Sequence, residues 1–412
     1  MKLSQKLQRA MKTYTPTRVL GALRRRRADW LRKLQYRPQD TKSLSNAILF
    51  ESFQGKVIGD NPLDIFLEVR ARKAAGQLPA DLELLWTTGP ETKAPEGARG
   101  LRHGSREWLD ALATSKYLVN NTNWPWYFRK VEGQVYLQTW HGTPLKRLGR
   151  EIPNNNLTKS YLDTMDREAG YWDHLISPNA FCTGVFPGAF GYSGSIIETG
   201  YPRNDRLTTS GATERQRIRE SIGVSDPKTI VVLYAPTWRD FKRSATGNWE
   251  SINFMDEDIE LPAGYQMIYR GHTNTHAAHK SKVAGRAIDV TKYPDVTELY
   301  IAADVLVTDY SSVMFDFTVT GKPVLYLAPD LERYRAERGF YFDFEADAPG
   351  PILQRDTDVV AALQRLPELA VEYRDRYRAW QHKFNALEDG KASARVVDVL
   401  FGGNLRSEER RV

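Results

Sequence analysis

The chain has 412 residues, 41% of them hydrophobic, and a formal net charge of +7. That length calls for more than one domain and allows a sizeable buried core. Its single cysteine, Cys182, excludes an internal disulfide and a cysteine-rich metal site, no stretch approaches the ~18 apolar residues of a membrane span, and no secretory signal core is present.

The basic character lies at the start of the chain. Residues 1–42 hold 13 Lys and Arg against two Asp, a net of +11, which leaves −4 for the rest. Arg24 to Arg27 are preceded by Val19, Leu20 and Leu23 and followed by Trp30, Leu31 and Leu34. Clustered cations interleaved with apolar and aromatic residues suit an anionic membrane surface. A solvated tail is the plainer alternative, and nucleic acid the rival partner; no nucleic-acid-binding motif elsewhere supports the latter.

After this leader (1–45), short apolar and β-branched runs recur. Strands are expected at 47–53, 82–87, 117–120, 135–139, 175–177 and 195–199, then at 229–235, 266–269, 287–290, 305–308 and 323–327. Helical patterns lie between them, as at 62–75, 213–222 and 296–302. Strands alternating with helices imply parallel sheets covered on both faces, and eleven strands in two groups imply two sheets. The fold class is therefore α/β, with two Rossmann-like domains facing a cleft, the arrangement of B-type (GT-B) glycosyltransferases. The expected domains are 46–205 and 206–385, divided in a Gly- and Pro-punctuated stretch, with a C-terminal helix and tail at 386–412.

The usual signatures of dinucleotide binding, P-loop hydrolysis and a nucleophilic serine elbow are missing. Asp256-Glu257-Asp258 follows no clear strand and reads as a solvated acidic loop. Three constellations remain. Trp140-His141-Gly142-Thr143-Pro144 ends a strand: a histidine there suits a general base, Gly142 permits close approach, and Pro144 sets the exit direction. A capping histidine is the equal alternative. Tyr269-Arg270-Gly271-His272 ends another strand, and Arg270 adds a permanent charge suited to phosphate. His276 and His279 follow at metal-like spacing, but in a segment poorly suited to a helix. Asp309-Tyr310-Ser311-Ser312 joins a buried strand to a helix, where Ser311 or Ser312 would cap an anion-attracting helix start and Asp316 would accept ribose hydroxyls. Tyr234 to Arg239, with Pro236 and Thr237, is a weaker supporting element.

Together, ILFESFQGKVIGDNP (48–62), QTWHGTPLKRLG (138–149), ETGYPRND (198–205), YAPTWRD (234–240), YRGH (269–272), DYSSVMFDF (309–317) and GKP (321–323) resemble the CDP-glycerol glycerophosphotransferase family, which includes teichoic acid primases and polymerases. The resemblance runs from Ile48 to Phe401, with Thr273 where the family often has proline. It implies transfer of glycerol phosphate, or a related alditol phosphate, from CDP-glycerol or CDP-ribitol to a hydroxyl of a lipid-linked acceptor or growing polymer, with release of CMP. His141 would then be the base and His272 the pyrophosphate contact. Trp140 to Pro144, Arg203, Pro236, Thr237, Arg270, Gly271, Ser311, Ser312 and Asp316 would line the donor site. No cofactor is implied with certainty, and a divalent cation is left open. The basic leader would attach the protein peripherally to the cytoplasmic face of the plasma membrane, and the two domains would close on the donor. A nucleotide-sugar glycosyltransferase and a non-catalytic membrane scaffold are the alternatives.

Overall fold

The computed structural model describes residues 16–38, 44–153, 158–237, 254–256, 258–271 and 287–408, with side chains described from Arg26 to Gly402 within them. Two wholly parallel sheets organise it. The first holds β1 (Ser45–Glu51), β2 (Glu83–Thr88), β3 (Arg99–Arg102), β4 (Ser115–Asn120), β5 (Val135–Gln138), β6 (His174–Ser177) and β7 (Ser195–Glu198), in the order β3-β2-β1-β4-β5-β6-β7. The second holds β8 (Ile230–Tyr234), β9 (Tyr265–Tyr269), β10 (Ile288–Asp289), β11 (Val305–Thr308), β12 (Val324–Leu327) and β13 (Ile352–Leu353), in the order β10-β9-β8-β11-β12-β13. Both orders reverse once, between β1 and β4 and between β8 and β11. Crevices at such reversals, beyond the carboxyl ends of the strands, are where α/β sheets hold ligands.

All eleven expected strands are present. The two that periodicity did not reveal, β3 and β13, are edge strands. β3 buries only Leu101 of its four residues, and β13 has two residues, so neither carries an apolar run. The strands of the centre do: Ala47 to Phe50 in β1 and Val231 to Tyr234 in β8 are buried, as sheets with two covered faces require. The helix Asp60–Ala74 covers the first sheet with Ile65, Phe66 and Val69.

The chain crosses between the sheets twice. After β7 it passes through the 3-10 turn Pro202–Asn204 to the second sheet. It returns after the helix Arg374–Phe384, and its last helix, Ala392–Glu408, packs on the first sheet's side. Val396, Val397, Leu400 and Phe401 join the core around Ile48, Phe66 and Trp86. Asp205 caps that helix by accepting from the Ala392 and Ser393 N–H groups (2.9 and 2.8 Å). The C-terminal segment therefore completes the first sheet's core.

Several contacts fasten the two halves. Tyr341 N donates to Leu145 O (2.9 Å), Arg147 N to Gly339 O (3.1 Å), and Asn179 Nδ2 to Phe384 O (2.9 Å). Deepest lies Arg203, which donates through Nη1 to Asp60 Oδ1 (3.0 Å) and through Nη2 to both Asp316 oxygens (3.1 and 2.9 Å). Desolvation works against its charge, but Asp316 and Asp60 outweigh it and hold the guanidinium well above its ordinary pKa. This bridge ties the crossing segment and the start of the Asp60–Ala74 helix to the helix after β11.

Removing one partner of a buried ion pair strands the other charge and costs about 3–5 kcal/mol. Asp316→Ala should therefore lower the stability to urea unfolding by that amount. A loss below about 1 kcal/mol, the scale of exposed pairs, would show that the bridge is not held in the interior as described.

Candidate active site

The site forms where the carboxyl edges of the two sheets meet. In the first, β5 runs into Thr139 and then Trp140, whose φ of +50° puts a bulky residue in the left-handed region. Gln138 Oε1 accepts from Trp140 N (2.9 Å), and Thr139 Oγ1 donates to Trp140 O (3.0 Å). The indole stacks on His141 (4.2 Å between centroids, 26°) and packs against Phe190 at 4.6 Å. Phe53, from the loop after β1, flanks the imidazole on another side at 5.7 Å. His141 is thus a packed, half-buried ring. Desolvation pushes its pKa down to about 4, with Asp60 raising it and Arg203 lowering it. Such an imidazole is neutral at pH 7 and free to take a proton.

Gly142 serves close approach, and the left-handed residue of the turn is Trp140. A Cβ on Gly142 would lie 3.0 Å from Ser312 Oγ and 3.2 Å from Ser312 Cβ. The His141 turn of the first sheet and the Ser311-Ser312 turn of the second are therefore already in contact. Thr143 and Pro144 are buried, Thr143 beside the Cys182 thiol, so they buttress the turn from behind.

In the second sheet, the turns after β8 and β11 are tied to each other. Thr237 N donates to Asp309 Oδ1 (2.8 Å), and Thr308 Oγ1 to Ala235 O (2.7 Å). Pro236 and Thr237 are half-exposed beside Ser311 and Ser312, which are half-exposed too. The helix after them, Val313–Phe317, has only five residues, and Ser312 stands at its N-cap without a side-chain capping bond. The expected capping does not occur, because Ser312 has helical φ and ψ (−62° and −13°), whereas capping serines usually adopt extended backbone. Its hydroxyl faces the first domain's turn instead. After β9, Gly271 N donates to Thr291 Oγ1 (2.9 Å), and Arg270 Nη1 to Tyr293 O (2.7 Å). Arg270 thus braces the 290–293 loop.

Two expected donor contacts are reassigned. Asp316 is buried, and both its oxygens are engaged, by Arg203 and by Asn204 Nδ2 (3.1 Å). It faces the interdomain tie and not a ribose. Arg203 is likewise buried in that tie. His272, His276, His279, Trp238 and Arg239 lie outside the described residues. Asp256 and Asp258 are exposed on the surface, as the reading of a solvated loop requires.

Sequence reasoning missed Asp60 and Asn61. Asn61 is fully buried; its Nδ2 donates to Thr139 O and Trp140 O (both 3.4 Å), and its Oδ1 accepts from Arg203 N (3.3 Å). The signal was present in Gly59-Asp60-Asn61-Pro62, a turn-rich run opening a helix, but nothing in it points 80 residues ahead to His141.

Comparison with known proteins agrees with this architecture. Residues 34–402 match the family described as CDP-glycerol:poly(glycerophosphate) glycerophosphotransferase. A teichoic acid poly(glycerol phosphate) polymerase of Bacillus spizizenii is 36% identical over 368 residues, covering 86% of this chain and 92% of that protein. The polymerase of the same description from Bacillus subtilis is 36% identical over 370 residues, and there the chain spans about half (48%) of the relative's length. The solved structure of the wall teichoic acid polymerase TagF superposes with a TM-score of 0.82 at 31% identity, covering 98% of this chain and 99% of that one. Matched along nearly all of its length, in sequence and in fold, the chain belongs to the CDP-glycerol:poly(glycerophosphate) glycerophosphotransferase family.

Proposed function

We propose that this protein transfers glycerol phosphate from CDP-glycerol to a terminal hydroxyl of a teichoic acid chain, in a cleft between two Rossmann-like domains of the GT-B type. The observation that carries this reading is the contact of Gly142 with Ser312, which sets a neutral imidazole opposite a polar turn of the second sheet. The acceptor oxygen forms a bond to the β-phosphorus while the bond from that phosphorus to the bridging oxygen breaks. The electron pair stays with the bridging oxygen, CMP leaves, and the hydroxyl proton passes to His141. Charge building on the leaving phosphate needs fixed donors and cations. Ser311, Ser312, the Gly271 turn and Arg270 supply them, and His272 contacts the pyrophosphate. Pro236 and Thr237 wall the nucleoside. The glycerol donor is favoured because the four relatives at 34–36% identity over 86% of this chain are named for glycerol phosphate, whereas the ribitol-phosphate enzymes match at 27–31%.

The acceptor is proposed to be lipid-linked and met at an anionic membrane surface. The helix Pro16–Gln35 carries Arg24 to Arg27, and its Trp30 and Leu34 are 55% and 54% exposed. Trp126, from the loop after β4 and 45% exposed, continues this apolar patch, with Lys33 Nζ 5.0 Å from its ring centre. No described helix is long and apolar enough to cross a membrane. Aromatic rings beside cations suit the headgroup region. Replacing Trp30 and Trp126 together with serine should abolish sedimentation with phosphatidylglycerol vesicles while leaving the fold intact; unchanged sedimentation would remove this surface from the proposal.

The reaction is tested by incubating the protein with CDP-glycerol or CDP-ribitol and a lipid-linked acceptor, and by mass analysis of the product. CMP release and glycerol phosphate addition are expected with the first donor. His141→Ala should lower turnover by on the order of 10²–10⁴-fold, leaving a residual rate, while CDP-glycerol binding, measured calorimetrically, survives. Release of CMP only from CDP-ribitol would move the substrate, and wild-type turnover by His141→Ala would end the mechanism.

The pH dependence follows from the His141 environment. The imidazole must be neutral to accept a proton, and its pKa lies near 4 in the free enzyme, below the ordinary 6.5. The acid limb of kcat/KM, which reports the free enzyme, should therefore fall below pH 6. A limb at or above 6.5 would mean that the ring is not desolvated.

A further inference from the structure

Trp140 holds a conformation that bulky residues avoid, at a cost of order 1–3 kcal/mol, and such strain persists only where the surroundings enforce it. Part of the enforcement is local, from Gln138 and Thr139. The rest comes from Asn61, at the start of a helix that is distant in sequence. Its amide nitrogen spans the turn, 3.4 Å from both the Thr139 and the Trp140 carbonyl oxygens. Its own position is set from both sides. Asn61 N donates to Asp60 Oδ1 (2.6 Å), and its Oδ1 accepts from Arg203 N. Asp60 has a left-handed backbone (φ +61°) and is bound to the Arg203 guanidinium.

The contacts form a closed ring. From the His141 turn it passes to Asn61, to Arg203, and to Asp316 on the helix that follows Ser312. Ser312 touches Gly142, which closes the ring on the His141 turn. Its members come from β5's exit, the Asp60–Ala74 helix, the first domain crossing and the second sheet. A ring that joins both domains ties the His141 turn to the Ser311-Ser312 turn.

We propose that Asn61 is the positioning residue for His141: its amide, anchored through Arg203 to Asp316, holds the imidazole at the height from which it reaches the acceptor hydroxyl bound opposite Ser312. This rests on the proposed function for the identity of the reaction, though the tether itself does not. Asn61 touches no reacting atom in this scheme and acts only through the Thr139 and Trp140 carbonyls. Misplacement of a catalytic group by about 1 Å costs up to ~100-fold in rate.

The test uses the full chain with Asn61→Ala and with Asn61→Asp, which keeps the volume and the acceptor for Arg203 N but removes the donor. Both should lower kcat about 10- to 100-fold with the KM for CDP-glycerol little changed. In a His141→Ala background, where only residual CMP release is followed, Asn61→Ala should cost nothing further, because the two act as a unit. A substitution that merely loosened the fold would multiply with His141→Ala and raise KM, and that result would overturn the proposal. Amide exchange over residues 139–143, read without any substrate, should quicken in both variants while exchange over β8 stays unchanged. Unchanged exchange at 139–143 would overturn the tether even if turnover fell. Failure of the wild type to release CMP from CDP-glycerol would instead refute the proposed reaction and leave the exchange result to decide the tether.

Discussion

The buried Arg203 is the interaction on which the rest of the site depends. One guanidinium reaches Asp60 in the first domain and Asp316 in the second, and it lies 3% exposed between them. A charge so placed cannot be released to water without opening the interdomain contact. A hydrophobic replacement of the whole cluster could be as stable, because desolvation offsets much of the Coulombic gain. What an ion pair adds is direction. A guanidinium with five N–H groups in one plane fixes the bearings of its partners, and here the partners stand one residue before Asn61 and four after Ser312.

That geometry explains how two loops from different sheets come to share one site. Each sheet places its turn at its own strand reversal, where the loops diverge and leave a crevice. Neither crevice is a complete site. In the proposed reaction, the first would offer a desolvated imidazole as base and the second the hydroxyls, glycine turn and arginine that receive the phosphates. Packing the halves face to face joins them, and the close contact at Gly142 shows how little room separates the turns. The same packing partly shields the half-buried His141 from water, and the two aromatic rings around it share in the desolvation that lowers its pKa.

Much of this was legible beforehand because it depends on local pattern. Buried parallel strands announce themselves as apolar runs, and β1, β5, β8 and β11 did so. His141 stood out because His-Gly-Thr-Pro follows such a run. β3 and β13 stayed hidden because an edge strand with one buried residue has no pattern to show. Arg203 was expected at the site through the family's motifs and Asp316 from the turn before it, but their partners were not foreseen. A sequence records that a carboxylate and a guanidinium exist; it does not record that they meet across 113 residues. Asn61 was missed for the same reason, since its task is defined by two carbonyls 78 and 79 residues away.

Local pattern encodes the two parallel sheets, the turns at strand ends that are proposed to carry chemistry, the basic start of the chain and the family. Each of these rests on residues near one another in the chain, through hydrophobic periodicity, turn-forming residues or contiguous motifs. Only the tertiary structure decided that Trp140 and not Gly142 bears the left-handed backbone, that Asp316 and Arg203 tie the domains together, and that Ser312 faces Gly142. Those facts depend on which surfaces the two domains present to each other. Long-range packing sets that, through the buried charges and the strap between residues 145–147 and 339–341, and no local pattern encodes it.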